Sequence, residues 1–97
     1  MEEGLLDKIR YIMKIAKKGT CSDAELEKLM IYSLQHSNSA ILGRFFGYSV
    51  SDYAIACMKW VNTVEAQEAF DVKMKNIPEH RKKDIEKLIS TKIYEEC

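Results

Sequence analysis

An all-α fold is the first expectation for this chain, a compact bundle of five or six short helices. Three observations predict it. Apolar residues recur at spacings of three and four over most of the 97 residues. Ser, Asp and Glu stand at capping distances ahead of those runs. One proline and four glycines leave little room for turn-rich β architecture. The hydrophobic fraction of 46% is enough to fill one core, and nothing resembling a linker divides it, so residues 1–97 read as a single helical domain.

The first helix is expected over residues 5–18, with Leu5, Leu6, Ile9, Ile12, Met13 and Ala16 on its apolar stripe. Lys17 and Lys18 suit the negative end of the helix dipole, and Gly19 follows as a C′ residue able to take positive φ. Tyr11 and Ile15 lie off the stripe and widen the apolar arc beyond that of an ordinary surface helix. They are therefore candidate partner-binding residues. Ser22-Asp23-Ala24-Glu25 has capping-box form and opens a second helix running to about Gln35, with Leu26, Leu29, Met30 and Leu34 inward.

His36 to Ser39 is a polar break, after which a short helix is expected from Ser39 to about Phe46, stopped by Gly47. Ser49 can cap the next helix, with Asp52 at its third position. Its stripe holds Val50, Tyr53, Cys57, Trp60, Val61 and Val64, then fails at Gln67 and Glu68. Asn62-Thr63-Val64-Glu65 also has capping-box form, so a break is expected near Asn62. Pro78 suits a first helical residue, and the last helix carries Ile85, Leu88, Ile89 and Ile93 inward, with Arg81, Lys82, Lys83 and Glu86 facing water.

Residues 39–61 have the outline of a helix-turn-helix-like pair, with Gly43 at the crossing and Gly47 in the turn. The spacing suits such a pair, but the chemistry does not suit a DNA reader. Exposed positions at the start of the second helix would be Val50, Ser51, Asp52, Ala54 and Ile55, where base readers carry Arg, Lys, Asn or Gln. Arg44, Ser51 and Lys59 are the candidate nucleic-acid contacts, and Asp52 leaves residues 37–61 only one net positive charge. Five of the nine aromatic residues fall in the same window, which favours a core or a protein interface. Phe45 and Tyr48 join Tyr11 and Ile15 as candidate partner-binding residues.

Whole-chain charge points the same way. Fifteen basic and fifteen acidic residues cancel, an unusual balance for a general nucleic-acid binder. Lys14, Lys17 and Lys18 form one basic cluster and His80 to Lys83 another, each read first as a solvated helix face. Cys21, Cys57 and Cys97 are odd in number and far apart, which fits a reducing, cytoplasmic setting. Cys57, in an apolar helix, is expected to be buried, and Cys97 offers a disulfide-linked dimer on oxidation.

No metal-ligand spacing, phosphate loop or catalytic motif is visible, so catalytic, cofactor and metal residues are all expected to be none. A Cys57–His36 pair lacks a supporting acid. The acidic Met1-Glu2-Glu3 start and the absence of a long apolar run predict neither a secretory signal nor a membrane span. The favoured function is a small non-enzymatic module acting by protein–protein interaction, including self-association as a homodimer. The alternative is a helix-turn-helix DNA-binding regulator using residues 39–61, and a small enzyme comes third.

Overall fold

The computed structural model describes residues 5–34, 44–45 and 48–92. These contain α1 (Leu5–Lys18), α2 (Asp23–Tyr32), β1 (Arg44–Phe45), β2 (Tyr48–Ser49), α3 (Val50–Trp60), α4 (Val64–Lys75) and α5 (Glu79–Thr91). The fold is an all-α bundle of short helices with one antiparallel pair of two-residue strands. No helix among the described residues is long and apolar enough to cross a membrane.

Local chemistry sets most of the boundaries. Gly19 closes α1 with φ +78, its N–H donating to the Ile15 and Ala16 carbonyls. The Ser22–Glu25 capping box forms in both directions, and Lys18 reinforces it with an ion pair to Glu25 Oε1 at 2.7 Å. Ser49 and Asp52 form a second box at the start of α3. The expected break after Val61 is present, but Thr63 rather than Asn62 is the cap, its hydroxyl accepting from Ala66 N. Pro78 caps α5 from just outside instead of forming its first residue.

α3 is the axis of the bundle. Every residue from Val50 to Met58 is buried, and α1, α2, α4 and α5 all pack against it. A helix apolar on one side only cannot be enclosed this way. α3 can, because Ala54, Ala56 and Cys57 are small enough to admit neighbours where a larger side chain would hold them off. Ile9, Ile12, Met13, Ile15 and Ala16 of α1 join it with Leu29, Tyr32, Val61, Ala66 and Leu88 in one core.

Three expectations are corrected here. The chain at Arg44–Phe45 is a strand, pairing Arg44 with Ser49 and Phe45 with Tyr48, where helix was expected. Phe45 and Tyr48 are both aromatic, a residue type that favours extended backbone. Ile15 is 1% exposed and belongs to the core, so the wide apolar arc of α1 serves the bundle itself. Leu34, expected inward, is 76% exposed, because α2 ends at Tyr32, where the Ser33 N–H bonds back to the Leu29 carbonyl.

The failing stripe at Gln67 also has a reason. The Gln67 amide reaches back to the carbonyls of Val61 at 2.8 Å, Lys59 at 3.2 Å and Met58 at 3.3 Å. It satisfies the orphan carbonyls at the end of α3, so a polar residue is needed where periodicity asks for an apolar one.

Candidate functional site

The polar centre of the molecule lies at the first turn of α3. Ser49, Ser51 and Asp52 are all buried there, at 0%, 0% and 1% exposure. The Ser49 N–H donates to Asp52 Oδ2 at 3.1 Å, while Asp52 N donates to Ser49 Oγ at 3.3 Å. From α5, Arg81 Nη2 donates to Asp52 Oδ1 at 2.9 Å and to Ser51 Oγ at 2.8 Å. Ser51 Oγ in turn donates a hydrogen bond to the Ser33 carbonyl at the end of α2. Three helices are thus tied at one point. Arg81 Nε, buried and without a hydrogen-bond partner among the described residues, is the exception in an otherwise satisfied cluster.

This arrangement fixes where three of the residues considered for DNA contact lie. Ser51 is enclosed and committed to Ser33 and Arg81, so it has no edge to offer a base. Arg81, expected to face water, is spent on Asp52. Val50 to Met58 being buried throughout, α3 presents no exposed recognition face of the kind that a groove-reading helix needs. Lys59 is exposed, its ammonium 5.5 Å from the Phe70 ring centroid. Arg44 is placed only as a residue of β1. Residues 39–43 and Gly47, on which the turn of the expected pair depends, lie outside the described residues.

Among the four residues assigned to partner contact, the structure separates rather than gathers. Tyr11 is half-buried, packed edge-to-face on Tyr32 at 6.0 Å and 88°, with the Lys28 ammonium 4.8 Å from its ring centroid. Tyr48 is half-buried and meets Tyr53 edge-to-face at 6.0 Å. Ile15 has no surface left for a partner. Phe45 is placed in β1, paired through its backbone with Tyr48. Exposed apolar side chains lie elsewhere, at Leu6 (51%), Ile31 (54%), Leu34 (76%), Val64 (69%) and Val72 (54%). Sequence periodicity flagged none of these as surface, because each sits at a position where a core residue would also be unremarkable.

The thiols are structural in character. Cys57 is buried with its Sγ donating to the Ile12 carbonyl at 3.5 Å, and burial pushes its thiol well above the ordinary range. Burial also raises Cys21, partly offset by its contact with Thr63 Oγ1. His36 lies outside the described residues. An open groove of about 350 Å³ separates α4 from α5, lined by Asp71, Met74, Lys75, Lys82 and Glu86. Its walls mix charges of both signs around a single methionine.

Fold and surface together define a class, a helical bundle wrapped around a buried central helix and closed by an internal Asp–Arg pair. No known protein family matches the chain, and neither a curated protein nor a solved structure shows significant similarity to it.

Proposed function

We propose that this chain is a small non-enzymatic helical module that acts by binding another protein, its own copy included. One observation carries the reading. Ile31 near the end of α2 and Leu34 in the turn just past it, whose N–H donates to the Ile31 carbonyl at 3.1 Å, remain 54% and 76% exposed. Two large aliphatic residues side by side in water lose the stabilisation that burial brings, about 1.5–3 kcal/mol for each. A partner that covers them recovers part of that free energy on binding. The free thiols Cys21 and Cys57 suit work in a reducing compartment.

The test compares the wild-type chain with an Ile31→Asp, Leu34→Asp double variant. Circular dichroism should show unchanged helicity, because neither side chain belongs to the core. Affinity capture from the native host should recover a protein with the wild type and lose it with the double variant. Light scattering should report association above the 11.2 kDa chain mass. A strict monomer that captures the same proteins as its double variant sinks the reading.

A further inference from the structure

Two helices display unpaired charge of opposite sign on their outer faces. On α1, Arg10, Lys14 and Lys17 are exposed and recur at i, i+4 and i+7, so they share one side of the helix. On α4, Glu65, Glu68 and Asp71 are exposed and recur every third residue on its outer side. None of these six forms an ion pair within the described residues, whereas Lys18, Arg81 and Lys82 all find carboxylates. Each face also carries one charge of the other sign at its end, Asp7 on α1 and Lys75 on α4.

We propose that these faces are complementary halves of one contact, in which α1 of one copy lies antiparallel on α4 of a second copy. The proposal deepens the reading above by naming the surface through which the chain meets itself. The charge order carries it. Along α1 it runs Asp7, Arg10, Lys14, Lys17, and along α4 in reverse it runs Lys75, Asp71, Glu68, Glu65. Set antiparallel, all four positions meet opposite charge. Each run spans about 15 Å at the helical rise of about 1.5 Å per residue, so the register holds from end to end. A parallel arrangement sets Asp7 against Glu65 and Lys17 against Lys75, which repel.

Apolar side chains border the same faces. Leu6 adjoins Asp7 at the end that meets Lys75, Val72 adjoins Asp71 opposite Arg10, and Val64 stands at the end that meets Lys17. Exposed ion pairs add little affinity each, so the contact is weak and its charges serve chiefly to fix partner and register. The dissociation constant should rise with salt.

Sedimentation equilibrium on the full chain tests this at low ionic strength. Wild type should associate, and raising salt to about 0.5 M should weaken it roughly tenfold. Lys14→Glu and Glu68→Lys should each weaken association about tenfold or more, with unchanged circular dichroism because both sites are exposed. The decisive arm mixes the two variants in equal amounts. The reversed α1 of one then matches the reversed α4 of the other, and association should return.

Variants that associate as wild type does, or a mixture that fails to recover, overturn this surface while leaving self-association through Ile31 and Leu34 intact. A wild-type chain that stays monomeric at low salt overturns it together with the self-binding part of the wider reading. A monomer that instead binds random duplex or anionic vesicles through Lys14 assigns the α1 face to a polyanion and overturns it as well.

Discussion

Arg81 Nη2 stands 2.9 Å from Asp52 Oδ1, joining the first turn of α5 to the first turn of α3 across 29 residues of sequence. Asp52 is 1% exposed and the Arg81 side chain 13%, so each charge depends on the other for its tolerance of burial. Removing Arg81 takes the cationic partner from the buried Asp52 carboxylate and leaves it the Ser49 N–H bond. Arg81→Leu is expected to cost about 3–5 kcal/mol in urea unfolding. The Arg81→Leu, Asp52→Asn pair should cost less than its two single changes added, since the stranded charge is gone. Additive costs would mean that the two groups do not depend on each other.

Ile15 separates core from interface. Ile15→Ala should destabilise the fold by about 2–5 kcal/mol, because it opens a cavity in the core. Ile31→Ala, on an exposed site, should stay within about 0.5 kcal/mol. Thermal denaturation of both variants checks the contrast, and equal losses would contradict the burial of one and the exposure of the other.

Gly19 is held at φ +78 in open space, with no atom near enough to meet an added Cβ. Gly19→Ala should therefore cost on the order of 1 kcal/mol, from backbone strain alone. A β-branched residue should cost more. A neutral result would show that the end of α1 relaxes, along with the bond from Asn62 N to the Gly19 carbonyl at 2.8 Å.

Glu25 links stability to acid. Its hydrogen bonds with the Lys18 ammonium and the Ser22 N–H hold its carboxyl below the ordinary value. A carboxyl lowered on folding contributes stability that is present above its unfolded value and lost as pH falls through the folded one. Wild type should lose this contribution below about pH 4.5. Glu25→Gln should start lower at neutral pH and show a shallower acid loss. The two curves should converge in strong acid, and parallel curves would remove Glu25 as the source.

Cys57 and Cys21 differ in access. Cys57 is enclosed and its thiolate is disfavoured by burial, so native-state alkylation should proceed only as fast as the domain opens. Cys21, partly exposed, should react first. Mass spectrometry of a time course in iodoacetamide reads the order directly, and early labelling of Cys57 would argue against an enclosed α3.

Much of the local structure was decided by neighbours within four residues. The extent of α1, the turn at Gly19, both capping boxes and the burial of Cys57 follow from periodicity and hydrogen-bonding geometry that a short window contains. Such interactions form between groups that the chain itself holds close, so spacing is enough to specify them. Where the charge patterns of α1 and α4 lie is equally a matter of sequence, since exposure along a helix repeats with its turn.

Only the tertiary structure decided what surrounds α3. Nothing near Asp52 in sequence announces Arg81, and without it a buried carboxylate in the first turn would be costly enough to argue for exposure. The same holds for Ile15, whose burial depends on packing that a single helix cannot display, and for Leu34, left outside because α2 stops early. Pairing of Arg44 and Phe45 with β2 replaced an expected helix, since a two-residue ladder depends on what packs beside it. Contacts between distant parts of the chain are set by shape and desolvation across the whole bundle. The sequence by itself therefore determined the helices and their ends, while burial, and with it the surface open to a partner, awaited the assembled fold.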